Sequence, residues 1–215
     1  KFDTKYTINN LEPIANWGAD PAVLIVPKDS PFNSVGDVVA HAKANPGTIT
    51  VSGAGLYVGH HIASLQFERA AGIKLTYIPA GGGVKALKMV LGNQVMAGFN
   101  NLSDAYRQGN RIKVLGVADN QRETMFLPDV PTFKEQGVDV DDSSVNFRGI
   151  MARKGTSQDV IDFLADRVHL MFQDKKVAKK MKAGGSPLRI MTRGEVQTMW
   201  LERQRYLEEL LKGLD

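Results

Sequence analysis

Cysteine is absent from the 215 residues, which excludes disulfides, thiolate metal sites and a cysteine nucleophile, and which fits an oxidising compartment. No run approaches the ~20 consecutive apolar residues that a membrane-spanning helix needs. Lys1–Asn10 carry no apolar stretch and no small-residue cleavage site, so no signal peptide is expected there. The chain reads as a mature protein or a fragment. His-Glu-x-x-His and Gly-x-Ser-x-Gly are both missing, which removes the usual zinc-hydrolase and serine-hydrolase readings. Nor is either charge in large excess. Lys and Arg number 27 against 23 Asp and Glu, a net +4 that suits an anionic ligand and is too weak to argue for nucleic acid. What is present is an ordinary globular composition, 43% hydrophobic and 23% charged, of a size for one large domain or two small ones.

Strand and helix signals alternate through the middle of the chain. Ala22–Val26 is an apolar run between Pro21 and Pro27 and reads as a buried strand. Ser34 and Asp37 form a capping box for a helix whose Val35, Val38, Val39 and Ala42 share a face, stopped by Asn45-Pro46-Gly47. Strands are expected over 48–52, 73–78, 94–99 and 113–118, with helices over 58–71, from Val84 to Leu91, and near 103–108. The pattern predicts a parallel sheet with covered faces. Beyond Leu127 the texture changes. Phe147–Ala152 is expected to be an extended crossing segment. Thr156 to Asp159 reads as a second capping box before a helix that buries Val160, Ile161, Leu164, Val168 and Met171. Leu188–Met191 reads as a strand, and Thr192 to Glu195 as the cap of a final helix reaching Lys212.

Two glycine loops each lie between a strand and a helix. Ser52-Gly53-Ala54-Gly55 with Gly59 is close to a dinucleotide fingerprint, but the next strand ends Tyr77-Ile78-Pro79 without the acid that would hold a ribose. Ala80-Gly81-Gly82-Gly83 is the second loop. Turn geometry alone explains glycines. The favoured reading is a pair of anion cradles opening at one sheet edge, where backbone N–H groups and helix dipoles suit a carboxylate or phosphate. A phosphate-handling enzyme would need a general base near Gly53–Gly55. His60 and His61 are adjacent, so they point about 100° apart on a helix and do not chelate one metal. They read as one capping or hydrogen-bonding histidine and one solvated one; neither metal nor cofactor is expected. The run Lys175, Lys176, Lys179, Lys180 and Lys182 lacks interleaved aromatics and reads as a solvated helix face. Arg148 either clamps a ligand carboxylate or forms a surface or hinge salt bridge with Asp141 or Asp142.

Ala42-Lys43-Ala44-Asn45-Pro46-Gly47, Ala70-Ala71-Gly72-Ile73, Leu91-Gly92-Asn93-Gln94-Val95 and Leu127-Pro128-Asp129-Val130-Pro131-Thr132, followed by Glu135 and Gly137, occur in that order. Together they resemble the solute receptors of tripartite tricarboxylate transporters, the Bug family. Asn146-Phe147-Arg148-Gly149 and the triple glycine 81–83 resemble the tricarboxylate branch. The resemblance implies an α/β, periplasmic binding protein-like fold of type II, with two lobes, a hinge and a first lobe incomplete in this chain. Residues 1–20 would be a remnant of lobe 1 and a crossover, 21–137 lobe 2, and 138–215 the crossover and the rest of lobe 1. It implies a non-enzymatic periplasmic receptor that closes on a small di- or tricarboxylate and delivers it to membrane transporter subunits. A monomer is expected. A sensing module of a transcriptional regulator or signalling receptor is the alternative. The ligand-binding positions it implies are Ser52, Gly53, Gly55, His60, Ala80, Gly81, Gly82, Gly83, Asn100 and Asn101, and Arg148 is added by inference. The chain departs from relatives in three ways: it lacks their opening strand and glycine/proline loop, it has a longer interval from Gly55 to His60, and it carries Arg153 and Ser157 where proline is usual.

Overall fold

A computed structural model describes residues 5–212. In chain order the strands are β1 (Leu11–Asp20), β2 (Ala22–Pro27), β3 (Thr50–Gly53), β4 (Thr76–Pro79), β5 (Ala97–Asn101), β6 (Ile112–Ala118), β7 (Asn146–Arg153) and β8 (Leu188–Met191). The helices are α1 (Val35–Ala44), α2 (Gly59–Ala71), α3 (Gly83–Leu91), α4 (Leu102–Tyr106), α5 (Gln158–Gln173), α6 (Lys175–Ala183) and α7 (Arg193–Leu210). They form two compact units. One spans Pro21–Asn146; the other joins the segment ending at Asp20 to the segment starting at Phe147. The unit that holds residues 21–137 therefore extends to Asn146.

The Pro21–Asn146 unit is built on a five-stranded sheet in the order β4-β3-β5-β2-β6. β3 runs parallel to β4 and β5, but β2 is antiparallel to both β5 and β6. The all-parallel expectation is thus corrected to a mixed sheet. β2 follows β1 through Pro21 alone, with no crossover helix to set its direction, and an apolar run buried on both faces reads the same either way. Its residues sort by the period of two. Ala22, Leu24 and Val26 enter one core with Val51, Phe67, Phe99 and Phe133, whereas Val23 and Ile25 enter a second with Leu87, Val90 and Leu102. Ser34 caps α1 as expected, its hydroxyl accepting from Asp37 N while Asp37 accepts from Ser34 N.

The other unit holds a three-stranded sheet, β7-β1-β8. β1 carries Pro13 and Gly18, which hide a ten-residue strand from any propensity reading. At the register shift between Asn16 and Gly18 the buried Asn16 amide donates to Gly18 O and Arg189 O, at 3.2 and 2.8 Å. The core here is small: Ile14, Ala15 and Ile161, flanked by Ile150, Leu164 and Val168.

Two expectations for α5 change. Thr156 is not its cap, because its hydroxyl donates to Arg153 O at 2.8 Å and the helix starts after Ser157. Val160 and Met171 are 43% and 47% exposed, since each lies roughly a quarter-turn of arc off the line of Ile161, Ala165, Val168 and Phe172. The helix then breaks at Asp174, which is extended and accepts from Lys176 N and Val177 N to open α6. β8 and the Thr192–Glu195 capping box match the expected positions.

Candidate functional site

Because β3, β4 and β5 are parallel, their carboxyl ends share one edge of the sheet, and Ala22 at the start of β2 lies opposite Asn101 there. The two glycine loops meet at this edge and are laced together. Ala80 N donates to Gly53 O at 2.8 Å, and Gly82 N donates to Ala54 O at 2.7 Å. Gly81 and Gly82 have φ of +73° and +147°, conformations that side chains disfavour, so this turn depends on its glycines. α3 begins immediately after, capped by no side chain. The N–H groups of its first turn have no intrahelical partner and stand at the positive end of the helix.

The first loop is held from three sides. His60 and His61, both largely buried on α2, each accept a backbone N–H: Ala54 N to His60 Nδ1 at 3.2 Å and Tyr57 N to His61 Nδ1 at 3.0 Å. Tyr57 sits at φ +56°, a strained turn that these bonds maintain. From β4 the Tyr77 hydroxyl donates to Gly55 O at 3.0 Å, and burial pushes its pKa above the ordinary tyrosine range. A Cβ on Gly53 would fall 2.0 Å from that hydroxyl oxygen, so the tyrosine requires glycine here. The rings of His61 and Tyr77 lie 4.4 Å apart. Burial pushes the His61 pKa down.

The expected site residues divide into those that face outward and those already engaged. Ser52 is fully buried and donates to Ala86 O at 3.0 Å, so its hydroxyl joins β3 to α3. Asn100 is also fully buried; it donates to Gly83 O and accepts from Asn101 N, both at 3.0 Å. His60 Nε2 lies 2.9 Å from Asn101 Oδ1, which also receives Asn146 Nδ2 at 2.5 Å. The backbone of Gly53, Gly55, Ala80, Gly81, Gly82 and Gly83 forms the laced loops. His61, Tyr77 and Asn146 were not among the expected site residues. A backbone-binding histidine has no spacing signature, and Asn146 reaches Asn101 from 45 residues away.

Arg148 belongs to the other unit. Its guanidinium donates to Asp20 at 2.6 Å, and the Asp20 side chain is 1% exposed. The expected salt-bridge partners are otherwise engaged: Asp141 accepts from Gln66 and Ser143 N, and Asp142 accepts from Asn120. That unit also has a groove of about 790 Å³ lined by Phe147, Met151, Met199, Trp200 and Leu207. Its Arg203 lies 4.4 Å over the Phe147 ring. Among the described residues no helix is long and apolar enough to cross a membrane.

Comparison with known proteins gives the same direction. The family described as "Tripartite tricarboxylate transporter family receptor" matches residues 2–203. The UPF0065 protein of the gbd 5′ region in Cupriavidus necator is 29% identical over 160 residues, 74% of this chain and 48% of that one. Protein BugT of Bordetella pertussis is 29% identical over 182 residues, 83% of this chain and 55% of its own length. The chain thus spans about half the length of the curated relatives it matches. Among solved structures, Rpa4515 of Rhodopseudomonas palustris with adipate superposes with a TM-score of 0.86 at 21% identity, covering 98% of this chain and 71% of that one. MatC of the same organism, with bound malate, gives 0.79 at 20%, covering 97% and 70%. These likenesses show that the chain shares their α/β fold. The chain belongs to the tripartite tricarboxylate transporter receptor family.

Proposed function

We propose that this member of the receptor family captures a small organic di- or tricarboxylate in the periplasm, closing around it, and delivers it to the membrane subunits of a tripartite transporter. The observation that carries the reading is the laced pair of glycine loops at one sheet edge, beside the uncapped first turn of α3 and the Asn101 amide. The N–H groups of the first turn of α3, held in place by this lacing, bind a carboxylate without moving, so little of the binding free energy goes into ordering the site. The loops, with Asn101, would take the ligand carboxylate, while Ser52, Asn100 and His60 hold the cradle in shape. Arg148 belongs to the other unit, where it is paired with Asp20. Family membership and the similar solved structures that hold adipate and malate support the ligand class. Nothing in the arrangement supplies a nucleophile paired with a base, so binding rather than turnover is the proposal.

Thermal unfolding in the presence of succinate, malate, adipate, citrate, tricarballylate and a dinucleotide tests it. A ligand at a hundred times its dissociation constant stabilises by about 2.7 kcal/mol. A selective shift with one or a few carboxylates is expected. A shift with the dinucleotide alone, or with none of the acids, would overturn the reading.

A further inference from the structure

The hydrogen bonds around Asn101 have a fixed polarity, set by a group that cannot be reversed. Ala54 N–H is a backbone donor, so the His60 Nδ1 facing it must be an unprotonated acceptor. A neutral imidazole with Nδ1 bare carries its proton on Nε2. The Asn101 atom 2.9 Å from Nε2 is therefore the side-chain oxygen, and the Asn146 atom 2.5 Å from that oxygen is an amide nitrogen. Two donors thus saturate Asn101 Oδ1, which leaves its Nδ2 on the opposite side with no partner among the described residues.

Asn146 is packed into place for this task. Its own oxygen lies 2.7 Å from where a Cβ on Gly59 would sit, so any side chain at 59 would displace it. His60 is 3% exposed and equally fixed. The environment adds charges of both signs without changing the polarity. Asp104, paired with Arg107, and His60 both stand close to Gly83, while Lys85 lies near Gly81.

We infer that His60 and Asn146 are positioning residues that turn the Asn101 amide outward as an oriented N–H donor, so that the sheet edge selects a ligand oxygen acceptor over a ligand donor. The inference rests on the carboxylate-receptor reading and assigns the orientation of one side chain within it to two others that do not touch the ligand. Neither residue need be charged. What matters is that both donate to one atom, leaving the amide a single orientation.

A double-mutant cycle with malate, or the best acid from the panel above, read by calorimetry tests this. His60→Leu and Asn146→Leu are each expected to weaken binding about tenfold, as loss of an oriented hydrogen bond to a carboxylate would. In an Asn101→Leu background Asn146→Leu should weaken it no further, because its effect passes through Asn101, whereas His60→Leu should keep only the part due to its lost bond from Ala54 N. His60→Gln, whose amide N–H can reach the same oxygen, should retain more affinity than His60→Leu. Nitrogen-15 spectra of the wild-type histidines should show His60 with Nε2 protonated and Nδ1 bare. An undiminished loss from Asn146→Leu in the Asn101→Leu background, or a His60 protonated on Nδ1, would overturn the positioning role while leaving the carboxylate reading intact. A wild-type protein that binds none of the acids would remove both.

Discussion

Arg148 shows how one contact changes what a residue can be expected to do. Read alone in an extended segment, it is a cation that suits either a ligand carboxylate or a salt bridge with Asp141 or Asp142. In the structure its guanidinium pairs with a fully buried Asp20, and truncating it takes that cation away from the buried carboxylate. Arg148→Ala is expected to cost about 3 kcal/mol of stability, the magnitude for breaking a buried pair from one side. Asp20→Asn/Arg148→Met should recover part of that loss in a urea titration. An affinity loss without a stability loss would restore Arg148 to the ligand. His61 supplies a second residue-scale test. Burial holds its pKa below 6.5, the ordinary value of an exposed imidazole, so the unfolded chain takes up the proton more readily than the folded one. The stability contributed by neutral His61 is present above pH 6.5 and is lost as pH falls below it, together with the bond from Tyr57 N. Urea midpoints followed downward through that range should decline, and His61→Asn, whose oxygen can accept the same N–H, should flatten the slope.

At the scale of elements, the caps separate a sequence pattern from a working contact. Ser34, Thr156 and Thr192 each precede an acid by three residues, yet only the first and last cap a helix with their side chains. Thr192→Ala should therefore destabilise by about 1 kcal/mol, whereas Thr156→Ala should cost clearly less. Chemical denaturation of the two variants decides it; equal losses would mean that Thr156 does cap α5. The strand expectations over 73–78 and 94–99 narrow to Thr76–Pro79 and shift to Ala97–Asn101 for a related reason. Apolar residues continue into the turns before these strands, and composition does not mark where pairing begins.

The whole molecule contains two units with unequal cores. The Pro21–Asn146 unit has two buried clusters joined through β2, while the other unit centres on Ile14, Ala15 and Ile161. Trp17 and Trp200 both lie in the unit with the smaller core. Tryptophan fluorescence is accordingly expected to report a lower unfolding midpoint than far-ultraviolet circular dichroism, which follows helices in both units. Coincident midpoints would show one cooperative transition instead.

The sequence by itself determined the local features: the buried run 22–26, two of three capping boxes, the glycine turns before α2 and α3, the final strand and helix, and a family resemblance spread along the chain. Each of these is set by residues within a few positions of one another, where dihedral preference and periodicity act directly. Tertiary structure alone decided the rest. The reversed direction of β2, the ten-residue β1 despite its proline, the Arg148–Asp20 pair, and the chain of donors from Ala54 through His60 to Asn101 all join groups distant in sequence or depend on pairing partners. The polarity of a hydrogen bond and the burial of a charge are properties of those partners, and no spacing within one segment encodes them.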